Sequence, residues 1–208
     1  DGESHLIPMG QLATALQVVP GTATTMVKTL AESGLVDYEP YSGVRLTPAG
    51  QKLAALVLRR HRLMELFLVK VIGMNWTEVH DEAERLEHAA SDRLIDRIDE
   101  ILGRPKVDPH GDPIPSQEGT LIKQECQTLL TCLVGGPVVL TRVTDQDPKF
   151  LHFLEKNNLQ PGQEICVEAR DAVADHVIIR SDDRQIMIGM RAAAKLQVVS
   201  NNIVGPIQ

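Results

Sequence analysis

The stretch EAERLEHAASDR, residues 82–93, sets Glu84, Glu87 and His88 at spacings i, i+3 and i+4, with His80 one turn ahead of Glu84. Helical residues advance by about 100° each, so these four side chains fall within one arc of roughly 100° beside an apolar stripe. A second run, RRHRLMELFL, offers His61 and Glu65 at i, i+4. Imidazole and carboxylate are ligands that Mn²⁺, Fe²⁺ and Zn²⁺ accept. One His–Glu pair at i, i+4 is ordinary on a solvated helix. Six such residues on consecutive helices are not, because like charges crowded on one face destabilise a fold unless a cation neutralises them. No cysteine stands among them, which leans toward Mn²⁺ or Fe²⁺ over Zn²⁺.

Two helices must position these groups. Thr47-Pro48 reads as an N-cap followed by proline at the first helical position, and that helix runs to about Ile72 before Gly73. Thr77 is expected to cap a second helix running to Leu102 and stopping at Gly103. Its stripe of Ala83, Leu86, Ala90, Leu94, Ile98 and Ile101 fits either a dimer seam or packing within the domain.

Ahead of them, residues 9–18 carry Met9, Leu12, Ala13 and Leu16 at helical spacing. Pro20-Gly21 breaks the pattern, and Thr22 opens a second short helix with Met26, Val27 and Leu30 inward, ending at Gly34. LVDYEPYSGVRLT then reads as a hairpin turning at Ser42-Gly43. Helix, tight turn, helix and hairpin suggest a winged helix. Thr22, Thr24, Thr25, Lys28 and Thr29 would face phosphates and base edges, and Arg45 beside the hairpin turn a phosphate or the minor groove. Taken singly, each is ordinary solvated surface.

Residues 104–135 read as loop-rich. PVVLTRVTD, EICVEARD, HVIIRSDD and RQIMIGM follow as short strands, with KFLHFLEKN as a helix, which together make a small barrel-like β domain. The 208 residues suit one large domain or two to three small ones. The net charge of −7 argues against a uniformly basic nucleic-acid binder, although metal-binding carboxylates account for part of that excess. Three cysteines without a CxxC, no signal-peptide pattern and no membrane-length apolar run point to a reducing cytoplasm.

VHDEAERLEHAASD, RRHRLMELFL, LAESGLVDYEPYSGVRLTPAG and DPHGDPIP together resemble the diphtheria-toxin-repressor family of metal-dependent transcriptional repressors. The resemblance spans nearly the whole chain. It implies a mainly α fold with α+β parts: an N-terminal winged helix-turn-helix (1–55), a helical metal-binding and dimerisation domain (56–125) and a C-terminal SH3-like β-barrel of the ferrous-iron-transport A type (136–200). A primary metal site would use Glu84, Glu87, His88 and, as in manganese-type members, His61. Glu84 stands where iron-type members often carry Cys, which resembles the manganese regulators. A second site would use His61, Glu65 and His80, or else Glu65 with Asp108, His110 and Asp147 (less favoured, Asp145). Read without the family, DPHG is a plain turn and Asp147 the cap of the helix after it. Family members also begin with a helix that supplies a further ligand, and this sequence starts after that point.

The expected function is therefore a cytoplasmic, homodimeric repressor of metal-homeostasis genes. Mn²⁺ or Fe²⁺ would activate it (Zn²⁺ or other divalent transition metals in vitro), and it would bind a palindromic DNA operator, with no membrane and no organic cofactor. Two alternatives stand beside it. A di-metal carboxylate–histidine enzyme needs ligands from four helices, and only two long ones are evident. A winged-helix regulator could instead sense an organic ligand.

Overall fold

The computed structural model describes residues 6–121, 126–182 and 184–201. The chain forms two compact units, residues 1–59 with 115–121, and residues 60–114 with 122–208.

The first unit begins with α1 (Met9–Ala15) and α2 (Pro20–Glu32), followed by the antiparallel hairpin β1 (Val36–Glu39) and β2 (Gly43–Leu46). Val27, Val36 and Val44 form its buried centre, with Met9, Leu12, Ala31 and Tyr38 against them. Pro20 does not separate the helices as the sequence suggested; it is the first residue of α2. Its missing N–H falls where a helix has no partner for one, and its fixed φ suits the helix. Gly34, at φ 71°, ends the helix in the left-handed conformation that glycine takes most readily. The inward face of α2 is Ala23 and Val27, whereas Met26 and Leu30 are 49% and 42% exposed.

Helix α3 (Pro48–Phe67) starts as expected, with Gly50 N donating to Thr47 Oγ1 at 3.1 Å. Its second half belongs to the other unit. It passes into a π-turn, Leu68–Ile72, which closes on the left-handed Gly73. Such turns recur at functional sites, and this one begins three residues after Glu65.

The helix expected from Thr77 to Leu102 is two helices, α4 (Val79–Glu87) and α5 (Asp92–Ile101). Thr77 is not the cap, because its hydroxyl and N–H both donate to Asn75 Oδ1 at 3.0 Å. The break follows from Ser91, whose Oγ accepts from Leu94 N at 3.3 Å and starts a new helix. Of the expected stripe, Ala83 and Ile98 are buried with Leu63, Met64, Leu68, Val79 and Ile95. Leu94 and Ile101 stay about half exposed.

The β part is a six-stranded antiparallel sheet in the order β3-β8-β4-β5-β6-β7. The strands are β3 (Gln127–Thr128), β4 (Pro137–Val143), β5 (Glu164–Asp171), β6 (His176–Ser181), β7 (Arg184–Gly189) and β8 (Leu196–Ser200). Helices α6 (Pro148–Lys156) and α7 (Met190–Ala193) complete it. Alternate residues Val138, Leu140, Ile165, Val167, Val177, Ile179, Leu196 and Val198 fill one core. Leu129 and Cys132 join that core, and β3 pairs with β8, so the β structure begins ahead of residue 136.

Candidate metal centre

One turn of α3 places His61 and Glu65 on the same face, as i, i+4 requires. His80, in the first turn of α4, meets them. Glu65 Oε1, His61 Nε2 and His80 Nδ1 form a triangle with every side 3.1 Å. Three donors at right angles around an ion, with bonds of about 2.1–2.3 Å, lie about this far apart. The other nitrogen of His61, Nδ1, lies 2.7 Å from Glu87 Oε2 at the end of α4. His88 Nε2 stands 3.8 Å from the second Glu87 oxygen, with its ring largely in solvent.

The second oxygen of Glu65 faces the other way, toward the turn Asp108-Pro109-His110-Gly111. Glu65, Asp108 and His110 are all at least 96% buried, and one ligand atom from each lies within 4.8 Å of the others. Glu65 Oε2, Asp108 Oδ2 and His110 Nδ1 have no hydrogen-bond partner among the described residues. Each such buried orphan costs about 1–3 kcal/mol. The turn itself is well made. Asp108 Oδ1 accepts from His110 N and Asp112 N, at 2.8 and 2.9 Å, and His110 Nε2 lies 2.9 Å from the Trp76 carbonyl oxygen. Gly111 sits at φ 84°, where an added Cβ would collide with the Thr141 carbonyl of β4.

Burial opposes ionisation of Glu65, but hydrogen bonds from His61 and His80 prevail and hold its carboxyl at about 2. Burial works against a charged His61, yet Glu65 and Glu87 raise its value. His80 is raised by its hydrogen bond with Glu65, against a smaller effect of burial. Burial lowers His110. Asp108 is pushed up to about 7 by burial, then by Asp112 and Glu65. Backbone hydrogen bonds from Asp112 and His110 pull the other way and are outweighed; Arg62 lies 3.6 Å from Asp108. Arg62 also lies 3.5 Å from Asp112, which pairs with Arg142 of β4. That charge is compensated, whereas Glu65 and Asp108 face one another across the cluster.

These observations fit a divalent cation. The donors are oxygen and imidazole, without a thiolate, which suits Mn²⁺ or Fe²⁺. Glu65 would be shared, one oxygen to each side.

Several residues singled out from the sequence are placed elsewhere. Glu84 is exposed on α4 and, like His88, lies outside the converging groups found among the described residues. Asp147 caps α6, its Oδ1 accepting from Lys149 N and Phe150 N. Asp145 pairs with Lys195. Asp112, Arg62 and Arg142 escaped the sequence reading, though Asp112 lies in the same DPHGDP run. In the first unit, Thr22, Thr25, Lys28 and Thr29 are exposed on α2 and Thr24 partly so. Arg45 is held by Asp37 across the hairpin at 3.2 Å.

Fold and site together define a winged-helix protein that carries a converging carboxylate–imidazole cluster on its helical part and a small β domain after it. Three family descriptions match in series. They are the iron dependent repressor N-terminal DNA binding domain (residues 1–44), the iron dependent repressor metal binding and dimerisation domain (47–116) and the FeoA domain (127–200). The chain belongs to the iron-dependent repressor family. A solved manganese-dependent transcriptional repressor in complex with manganese superposes with a TM-score of 0.86 at 39% identity, over 93% of this chain and 90% of that one. ScaR with bound Cd²⁺ gives 0.81 at 33%, over 96% and 93%. The diphtheria toxin repressor of Corynebacterium glutamicum is 37% identical over 114 residues, 54% of this chain and 50% of that protein. The chain thus spans about half the length of the first curated relatives it matches. The iron-dependent repressor IdeR of Mycobacterium leprae is 29% identical over 82% of this chain and 80% of that protein.

Proposed function

We propose that the chain is a Mn²⁺- or Fe²⁺-dependent, DNA-binding transcriptional repressor of metal-homeostasis genes, acting in the cytoplasm as a homodimer on a palindromic operator. The observation that carries this reading is Glu65. One carboxylate oxygen meets His61 and His80, and the other joins Asp108 Oδ2 and His110 Nδ1 in a buried trio of atoms without a hydrogen-bond partner among the described residues. A divalent cation held there would supply positive charge that offsets repulsion among Glu65, Glu87 and Asp108. His61 and His80 would hold it as neutral ligands, having given up their protons to solvent. Glu65, common to both sets, couples them.

For DNA, α2 offers Lys28 as a phosphate contact. The hydroxyls of Thr24, Thr25 and Thr29 donate to carbonyls four residues back. In this conformation their oxygens accept only, which suits base amino groups in the major groove better than phosphates. Half-exposed Leu94 and Ile101 on α5 offer apolar surface to a second copy. Metal and DNA are linked: if the cation favours the DNA-competent state, DNA must tighten the cation by the same factor.

The test selects duplexes from a random-sequence library with the Mn²⁺-loaded protein, then measures anisotropy at fixed salt after EDTA and with Mn²⁺, Fe²⁺ or Zn²⁺. The reading expects tight binding only with added metal. Selection of no duplex, or equal affinity with and without metal, contradicts it.

A further inference from the structure

The interruption between α4 and α5 is held by one side chain. Arg60 of α3 donates from Nη2 to the Glu87 carbonyl at 3.2 Å and to the Ala90 carbonyl, while its Nη1 donates to Asp92 Oδ1. The last carbonyls of a helix lack partners within it and carry its negative end. One guanidinium nitrogen, Nη2, answers the last carbonyl of α4 and that of Ala90 in the link after it, while Nη1 reaches the first acid of the next helix. The Asp92 carboxylate is almost wholly exposed, so that ion pair contributes little; the partly buried carbonyl bonds are the effective ones.

The next residue of α3 is His61, whose Nδ1 lies 2.7 Å from Glu87 Oε2. Consecutive residues of one helix therefore hold Glu87 twice, Arg60 by its main chain and His61 by its carboxylate.

We propose that Arg60 is a positioning residue of the metal centre. By fixing the end of α4, it holds the Glu87 carboxylate on His61 Nδ1, which turns the ring so that its Nε2 faces Glu65 and His80. This rests on the metal reading above. A lysine cannot replace it, since its ammonium ends one bond short of Nη2, the nitrogen that answers both carbonyls, and it has no planar partner nitrogen to fix the direction.

The sign of the effect separates positioning from plain charge. Arg60 is a cation near a cation site, so if it acted only through its field, removing it would tighten Mn²⁺. Loss of positioning weakens Mn²⁺ instead, by about 10–100-fold for groups that orient ligands. The experiment measures free Mn²⁺ by its solution EPR signal for the whole chain, as parent, Arg60→Ala, Arg60→Lys and Arg97→Ala. Arg97 is an exposed cation of α5 that pairs with nearby Glu100, so its variant controls for lost charge. Thermal unfolding without metal, followed by circular dichroism, confirms that each variant is folded at the titration temperature.

The expected result is at least tenfold weaker Mn²⁺ binding in Arg60→Ala and Arg60→Lys, with Arg97→Ala unchanged or slightly tighter. Unchanged or tighter binding in folded Arg60→Lys overturns the proposal, whatever happens to Arg60→Ala. A parent protein that takes up no Mn²⁺ overturns the metal reading itself and the proposal with it.

Discussion

Replacing Asp108 by Asn removes one carboxylate from the buried cluster while preserving most of its hydrogen bonds. The side-chain oxygen of Asn still accepts from His110 N and Asp112 N, as Asp108 Oδ1 does. What disappears is the charge. Asp108 is 4% exposed, and its carboxyl is raised from 3.8 to about 7 by burial and by the charges of Asp112 and Glu65. An acid with a raised folded value costs nothing below its unfolded value, and the cost grows until pH passes the folded value. The gap of about three pH units corresponds to about 4 kcal/mol lost at pH 8. At pH 5, where the unfolded carboxyl is ionised and the folded one is not, the loss is roughly 2 kcal/mol. Asn also removes the attraction of Arg62 at 3.6 Å, so the figure at pH 8 is a ceiling. Metal-free Asp108→Asn is therefore expected to be more stable than the parent at pH 8 by about 2–4 kcal/mol, with that advantage roughly halved at pH 5. Urea unfolding with EDTA, followed by circular dichroism, measures both. The same variant should lose much of the stabilisation by Mn²⁺, which in a one-site protein is about 2.7 kcal/mol at a hundred times Kd. A variant less stable than the parent at pH 8, or an advantage independent of pH, would refute the reasoning.

The raised His61 and His80 hold protons that compete with metal above the ordinary value of 6.5. Mn²⁺ affinity should thus rise with pH through neutrality, and titration calorimetry in buffers of different ionisation enthalpy should detect proton release; uptake of protons would contradict it. The same two histidines contribute stability to the metal-free fold that is fully present below pH 6.5 and lost as pH rises through their folded values. Trp76, the single tryptophan, has its ring 5.5 Å from that of His110. Mn²⁺ should change its fluorescence in the parent, and His110→Ala should abolish the change; a persisting signal would place the ion elsewhere. Gly111→Ala forces a positive φ and a collision with the Thr141 carbonyl, so it should cost several kcal/mol, at the upper end of single substitutions. Its thermal unfolding without metal checks this.

The winged helix was legible because its boundaries are written in local chemistry. Thr47-Pro48 starts α3, Gly34 ends α2, and alternating apolar residues mark both hairpin strands. His61, Glu65, His80 and Glu87 were visible as ligand types at helical spacing, and the structure brings those four together. The break at His88–Ser91 was hidden, because Ala89 and Ala90 are good helix formers and the apolar periodicity continues across them. What interrupts the helix is Ser91 capping, together with an arginine 30 residues earlier in the chain, and no local pattern encodes that pairing. Asp112, Arg62 and Arg142 were missed for the same reason: their meeting is tertiary. Strand β3 is only two residues long and owes its state to β8, too short to leave a periodic signal.

The most direct test is crystallography of the full chain with Mn²⁺, recording anomalous differences near the manganese absorption edge. Two peaks are expected, one flanked by His61, Glu65 and His80 and one by Glu65, Asp108 and His110, with Glu65 common to both. A peak confined to exposed carboxylates such as Glu84, or no peak beside Glu65, would contradict the account.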